Sequence, residues 1–140
     1  MNVDILCARL AGQGYELVTA LDGVSALELA TTRQPDLILL DVMLPLLDGL
    51  TVCRQLKADP ALPFIPIILL TVKTERRDVL EGLEAGADDY LTKPVDQVAL
   101  VSRVQAMLRV KARVDALQEQ ATAATAQAAV ATAWGHALAQ

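Results

Sequence analysis

The stretch LILLDVMLPLLDG (37–49) carries the clearest structural signal in this sequence. It opens with four consecutive aliphatic residues, which is typical of a strand buried on both faces of a parallel sheet. Asp41 follows directly, so the predicted strand ends on a carboxylate. A second run of the same kind, IILL (67–70), ends on Thr71. Two such strands predict an α/β fold with an open parallel sheet.

The segments around these two strands alternate between helical and strand-like spacing. We predict helices over residues 2–12, 24–33, 50–58 and 75–86, further short strands over 15–20 and 89–91, and a long helix from residue 95 onward. Reactive groups in such sheets gather at the carboxyl ends of the strands. We therefore expect Asp41, Thr71 and Lys93, which each follow a predicted strand, to meet at one edge.

The composition describes a soluble chain that can form a core. Its 140 residues are 54% hydrophobic with a formal net charge of −5, which suits one domain with an appendage and gives no electrostatic reason to approach DNA or anionic lipid. No apolar run reaches the roughly 18 residues of a membrane span, and no secretory signal opens the chain. Cys7 and Cys53 lack metal-ligand spacing and suit buried positions in a reducing compartment. We expect a cytoplasmic protein with neither nucleic acid nor membrane as a partner.

The three polar groups at the predicted edge suit phosphoryl transfer. A carboxylate can attack phosphorus, a lysine ammonium can neutralise the phosphoryl oxygens, and a hydroxyl can donate a hydrogen bond to them. Taken singly, Asp41 is explained as well by a turn or a helix cap, and Thr71 by a helix cap. Their occurrence at the ends of three strands favours a shared site.

Two enzyme classes built on related sheets fit the sequence less well. A haloacid-dehalogenase-type phosphatase would want a second aspartate two residues after the nucleophile, where this chain has Met43. A flavodoxin needs a phosphate-binding loop rich in Ser, Thr and Gly as well as aromatic stacking residues, and aromatics are only 3% of this chain. We predict no independent enzymatic turnover.

Three ordered motifs, PDLILLDVMLPLLDG (35–49), IPIILLT (65–71) and GADDYLTKP (86–94), resemble the bacterial response-regulator receiver domain. The resemblance spans approximately residues 1–110. It implies a flavodoxin-like receiver fold and a role in two-component signal transduction, with a histidine kinase or a phosphotransfer protein as partner. This function is our first hypothesis.

The resemblance also implies roles for individual residues. Asp41 would be the phosphoacceptor, and Thr71 and Lys93 would contact the phosphoryl group. Tyr90 would be the aromatic switch that moves inward when Thr71 moves, with a half-buried core aromatic as the alternative. The bond before Pro94 would be cis, an isomer that X-Pro bonds adopt at low cost, and an ordinary turn is the alternative.

The chain departs from the receiver pattern at its N-terminus. The family's first strand lies second in a sheet of order 2-1-3-4-5, between the segments 15–20 and 37–40, and it ends in two adjacent acidic residues. We expect that strand and its acidic pair to lie upstream of Met1. The fold is then a receiver missing its first strand, with an uncovered apolar edge.

The missing acidic pair bears on magnesium, the cofactor that the resemblance implies. Asp41 and the backbone carbonyl of Met43 would be ligands, yet Mg²⁺ prefers about six oxygen ligands. We therefore expect weak or absent Mg²⁺ binding, impaired phosphorylation, and a direct ion pair between Asp41 and Lys93. We expect Asp88 and Asp89 to form a solvated turn instead of supplying ligands.

The composition changes after residue 110, where we predict a boundary between the receiver-like part (1–110) and an alanine-rich helical extension (111–140). Ten of the last twenty residues are alanine. Alternating spacings of four and three predict a coiled-coil seam, formed by Val110, Val114, Leu117, Ala121, Ala124, Ala128 and Ala131. A solvated alanine-rich helix is the alternative.

From the seam and the uncovered edge we predict a homodimer, and we expect that a downstream output domain can follow the helix. Our second hypothesis is accordingly a phosphate-independent dimerisation or docking module.

Overall fold

Three parallel strands form the sheet among the described residues, and helices pack on both of its faces. The computed structural model of the protein describes residue 10, residues 12–72 and residues 76–126. In chain order the elements are α1 (Gly23–Arg33), β1 (Ile38–Asp41), α2 (Gly49–Ala58), β2 (Ile67–Thr71), α3 (Arg76–Glu84), β3 (Asp89–Thr92) and α4 (Gln97–Ala126). The strand order is β1-β2-β3, and both pairings are parallel. The prediction of an open parallel α/β sheet is confirmed.

Aspartate residues cap the N-termini of α1, α2 and α4. The carboxylates of Asp22, Asp48 and Asp96 each accept a hydrogen bond from the backbone N–H three residues later, at 2.7, 2.8 and 2.9 Å. These bonds satisfy N–H groups that have no partner inside the helix. Because each cap lies only a few residues after a strand or a turn, the caps keep the connecting loops short.

Strand β2 is the centre of the core. Its first four residues are all aliphatic and at most 3% exposed. Ile67 and Leu69 pack with α1 and α2 on one face of the sheet, whereas Ile68 and Leu70 pack with α4 on the other. The aliphatic run thus indicates a strand covered on both faces, as we predicted.

The segment 15–20 does not form a strand, so that prediction is wrong. Leu17 and Val18 are 36% and 49% exposed, and within the described residues the sheet holds only the three strands named above. A short alternating segment becomes a strand only where a neighbouring strand satisfies its backbone hydrogen bonds. Direct pairing of this segment with β1 does not occur. The helix predicted over 2–12 lies outside the described residues, apart from residues 10 and 12.

Helix α4 continues without a break through residue 110, where the composition changes. Lys111 on this helix is a buried residue, 8% exposed. Its ammonium group donates to the carbonyl oxygen of Phe64 at 2.8 Å and contacts Asp115 at 3.1 Å. Residues 116–120 are all exposed, so the helix leaves the sheet there. The domain boundary after residue 110 stays a prediction. Across the described part of the chain, none of the helices combines the length and the hydropathy that a bilayer span requires.

Candidate functional site

The carboxyl ends of the three strands bring three polar side chains to one edge of the sheet. Asp41 is the last residue of β1, Thr71 is the last residue of β2, and Lys93 directly follows β3. The Lys93 N–H donates to the carbonyl oxygen of Thr71 at 2.8 Å, and the Val42 N–H donates to that of Leu70 at 3.0 Å. The strand pairing itself therefore holds the three residues side by side.

Lys93 and Asp41 form a direct ion pair through Nζ and Oδ2. Their side chains are 15% and 28% exposed, so the pair is largely shielded from water. The second carboxylate oxygen, Oδ1, accepts the Met43 N–H at 2.9 Å. The ion pair expected from the sequence is present, and both oxygens of Asp41 have a donor.

Two glycines allow the loop after Asp41 to pack closely on its surroundings. A Cβ atom on Gly49 would overlap the backbone carbonyl of Asp41, and one on Gly23 would overlap the carbonyl of Leu47. The Gly23 N–H also donates to the carbonyl oxygen of Pro45 at 3.0 Å. This backbone-to-backbone contact fixes the loop that carries Met43 and therefore the donor to Oδ1.

Three apolar residues that follow Asp41 and Thr71 in the chain are exposed, and we call them the apolar rim of the site. Met43, Leu46 and Val72 are 69%, 80% and 62% exposed. Leu46 also has φ of 69°, in the left-handed region that favours glycine.

Tyr90 lies on β3 and is 39% exposed. It stands opposite Leu69 of β2, whereas Thr71 stands opposite Thr92. Thr71 and Tyr90 both line a cavity of about 20 Å³ between the sheet and α3, which has room for one water molecule. The Lys93–Pro94 peptide bond is cis. The switch role of Tyr90 stays a prediction.

The expectation of a solvated turn at Asp88 and Asp89 is wrong. Asp88 Oδ2 lies 2.7 Å from Lys57 Nζ and accepts the Ile67 N–H at 2.8 Å. Asp89 pairs with Arg103 through both carboxylate oxygens, at 3.0 and 2.8 Å. The sequence offers no local signal for these contacts, because 31 residues separate Lys57 from Asp88.

Comparisons with known proteins agree with this fold and site. The family described as the response regulator receiver domain matches residues 1–105. The chain therefore belongs to the receiver-domain family of two-component response regulators, and the predicted family is confirmed. Receiver domains are in general non-enzymatic signalling modules that interact with histidine kinases and phosphotransfer proteins and use Mg²⁺ at the phosphorylation site. They are typically soluble.

Individual relatives place the chain within this family. It is 49% identical over 119 residues to the response regulator PleD of Caulobacter vibrioides. This match covers 85% of this chain and 26% of PleD. The receiver domain of a histidine kinase from Syntrophus aciditrophicus has a TM-score of 0.70 at 42% identity, covering 76% of this chain and 80% of that one. The receiver domain of the histidine kinase PA1611 from Pseudomonas aeruginosa, with magnesium in its active-site cleft, has a TM-score of 0.69 at 33% identity and covers 75% and 86%. The chain spans about a quarter of the length of PleD.

The donors around Asp41 do not by themselves fit a magnesium site. No cluster of three or more His, Cys, Asp or Glu side chains that could hold a metal occurs among residues 12–72 and 76–126. Oδ2 of Asp41 is paired with an ammonium group, and Oδ1 accepts a backbone N–H. Mg²⁺ takes about six oxygen ligands in octahedral geometry, so a single engaged carboxylate does not satisfy it.

Proposed function

We propose that this chain is a receiver module in which Asp41 accepts a phosphoryl group from a histidine kinase or a phosphotransfer protein. The observation that carries the proposal is the ion pair between Lys93 and Asp41, formed at the strand ends beside Thr71. A carboxylate, an ammonium group and a hydroxyl at one sheet edge provide a nucleophile, a neutralising cation and a hydrogen-bond donor. The localisation that goes with this function is cytoplasmic.

The transfer requires the ion pair to rearrange. One oxygen of Asp41 attacks phosphorus, the bond between phosphorus and the donor breaks, and an acyl phosphate forms. Lys93 exchanges its contact with Oδ2 for a contact with a phosphoryl oxygen, so the ammonium group keeps an anionic partner throughout. The hydroxyl of Thr71 donates to another phosphoryl oxygen. When Thr71 moves toward the phosphoryl group, the partly exposed Tyr90 side chain moves inward.

We propose that Mg²⁺-dependent phosphorylation of this chain is impaired. The support is the donor set, since both oxygens of Asp41 already have partners among the described residues. Metal binding must compete with the Lys93 ammonium for the same carboxylate. Weak metal binding then gives slow and incomplete phosphorylation.

Small phosphodonors and intact-mass measurement test both parts of this proposal. With acetyl phosphate we expect a small modified fraction that depends little on added Mg²⁺, and tandem mass spectrometry should locate the modification at residue 41. Asp41→Asn should abolish it. Asp36→Asn is the matched control, because it removes an exposed carboxylate two residues before the same strand. Rapid stoichiometric modification that requires Mg²⁺ would contradict the impairment, and modification that survives in the Asp41 variant would contradict the acceptor.

The apolar rim supports docking of a protein partner at this edge. Met43 and Leu46 follow Asp41 in the same loop, Val72 follows Thr71, and all three side chains are exposed. A donor protein that reaches Asp41 meets these loops. The formal net charge of −5 gives no support for a nucleic-acid partner of this chain. PleD is about four times the matched length, which supports an output domain after α4 in the whole protein.

A second candidate function is self-association through α4, independent of phosphate. Val110 and Leu117 lie seven residues apart on this helix and are 39% and 61% exposed. A heptad separation places them on one stripe, as a two-stranded coiled coil requires. The seam positions from residue 121 onward lie outside the described side chains.

Light scattering after size-exclusion chromatography tests this second function. We expect a dimer at micromolar concentration, because the apolar stripe favours association, as does the edge of β1 that no described strand pairs with. Leu117→Lys should shift the protein to a monomer, whereas Gln118→Lys, at an exposed neighbouring position, should not. A stable monomer of the unmodified chain at these concentrations would rule the dimer out.

A further inference from the structure

The opposite end of the sheet from Asp41 carries a second lysine–aspartate pair. Lys57, in the last turn of α2, contacts Asp88 at 2.7 Å, and the two side chains are 22% and 24% exposed. Lys57 also donates to the carbonyl oxygen of Ile65 at 2.8 Å and lies 4.7 Å from the centre of the Phe64 ring. The ammonium group is thus held by three partners and has little freedom to move.

Asp88 connects this lysine to the pairing of β2 with β3. Its N–H donates to the carbonyl oxygen of Ile67 at 2.9 Å, and its Oδ2 accepts the N–H of the same residue at 2.8 Å. The two hydrogen bonds close a ring between Asp88 and Ile67, one step before Ile68 pairs with Asp89. The side chain therefore binds a backbone group at the position where the register of the two strands is set.

The aliphatic pattern of β2 cannot set this register by itself. Strand register is normally specified because a slip of one residue moves the apolar side chains to the solvent face. In β2 all four residues from 67 to 70 are buried, on both faces of the sheet. A slip would exchange one aliphatic residue of β2 for another, and on β3 only Leu91 is a buried aliphatic residue. A polar contact between the two strands therefore adds to the single apolar side chain that distinguishes the native register.

The register determines the geometry of the candidate site. A slip of one residue moves one strand by roughly 3.3 Å along its neighbour. That distance exceeds the tolerance of a hydrogen bond, and it would separate Thr71 from Lys93, whose N–H donates to the Thr71 carbonyl oxygen in the native register. We propose that Asp88, held by Lys57, is a positioning residue that sets the register of β2 and β3 and thereby places Thr71 beside Lys93. The importance of this placement for phosphoryl transfer rests on the proposed phosphoacceptor role of Asp41. The effect of Asp88 on strand register does not rest on that role.

Residue-resolved amide hydrogen exchange tests the inference without phosphorylation. The reporter of the β2–β3 pairing is the Lys93 N–H, and the reporter of the β1–β2 pairing is the Val42 N–H, bonded to Leu70. In Asp88→Ala we expect protection at Lys93 to fall about five- to tenfold more than protection at Val42, because a hydrogen bond and an ion pair at the start of one pairing are lost. Asp88→Asn keeps an acceptor for the Ile67 N–H and should restore most of the difference.

The controls separate positioning from general stability. Asp89→Asn is the matched control, since it removes the carboxylate of the next residue, and that carboxylate pairs with Arg103. It should leave the ratio of exchange protection at Lys93 to protection at Val42 unchanged. If Asp88→Ala does not fold, Lys57→Met removes the cation and should shift the ratio about threefold in the same direction. Equal losses at both reporters, or none, would overturn the inference. A shifted ratio in a chain that acetyl phosphate never modifies would support the positioning role and refute the phosphoacceptor instead.

Discussion

The two ends of the sheet each hold a lysine–aspartate pair, but the structure constrains the pairs in different ways. At the amino end, Lys57 and Asp88 also bind the backbone at Ile65 and Ile67. At the carboxyl end, Lys93 contacts Asp41, and the surrounding loop is held by close backbone approach at Gly49. The amino-end pair is tied into the strand pairing, whereas the carboxyl-end pair can separate without breaking the ladder. The proposed phosphoryl transfer requires a pair of the second kind, because Lys93 then exchanges Asp41 for a phosphoryl oxygen.

One face of α2 joins the two ends. Gly49, Cys53 and Lys57 follow one another at intervals of four residues, so they lie on the same side of the helix. The first contacts the site loop, the second is fully buried against the sheet, and the third belongs to the amino-end pair. Substitutions along this face therefore compare the two ends of the molecule directly.

The largest effect is expected for Gly49→Ala. The added methyl group overlaps backbone atoms of Asp41 and Val42, which cannot move aside as a flexible side chain would. We expect a loss of about 3 kcal/mol in the free energy of unfolding, measured by urea denaturation. Gly12→Ala is the control, because a Cβ atom there meets nothing within 4 Å. Equal small effects for the two substitutions would show that steric approach does not hold the site loop.

The second prediction compares the two lysines. Lys57→Met leaves Asp88 largely buried without its cation, and we expect a loss of about 2 kcal/mol, below the range for fully buried pairs because these side chains are partly exposed. Lys93→Met should cost about 1 kcal/mol or less, since it removes only the contact with Asp41 described above, whereas Lys57 also binds the Ile65 carbonyl oxygen and lies over the Phe64 ring. Urea denaturation of both variants at neutral pH provides the measurement. The reverse order would show that the carboxyl-end pair, and not the amino-end pair, stabilises the sheet.

The third prediction concerns Cys53, midway along the same face. Burial raises the pKa of the Cys53 thiol to about 11, from the ordinary value of 9.0. Because the folded-state pKa is the higher one, the associated stability is fully present below about pH 9 and is lost as pH rises toward 11. Raising the pH to about 10 should lower the free energy of unfolding of the unmodified chain by an amount on the order of 1 kcal/mol through this thiol, and Cys53→Ala should abolish that decrease.

Thiol labelling checks the burial of Cys53 directly. In a Cys7→Ser background, iodoacetamide should label residue 53 only after denaturation; rapid labelling of the folded chain at pH 8 would contradict this.

The sequence predicts the parts of this molecule that are local, and it misses the parts that depend on distant neighbours. The uniform aliphatic runs before Asp41 and Thr71 specify strands by themselves, and the order of strands and helices brings their ends to one edge. The alternation in 15–20 also looks like a strand, but a strand forms only beside another, and the described sheet gives this segment no partner. No pattern in the sequence joins Lys57 to Asp88, because that contact exists only after the strands have paired.

The smallest predicted effect is at Leu46, in the loop that the carboxyl end holds by backbone contact. Its φ of 69° costs a leucine about 1–2 kcal/mol of folding free energy, and glycine avoids this cost. Glycine also makes the unfolded chain more flexible, which lowers stability by about 0.5–1 kcal/mol. Leu46→Gly should therefore raise the free energy of unfolding by about 0.5 kcal/mol. Leu21→Gly, another exposed leucine without a positive φ, should lower it. If both substitutions lower stability, the loop is not strained, and the exposed Leu46 side chain must contribute packing of its own. If Leu46→Gly raises stability but weakens binding of a phosphodonor protein, the strained leucine is retained for contact across the rim.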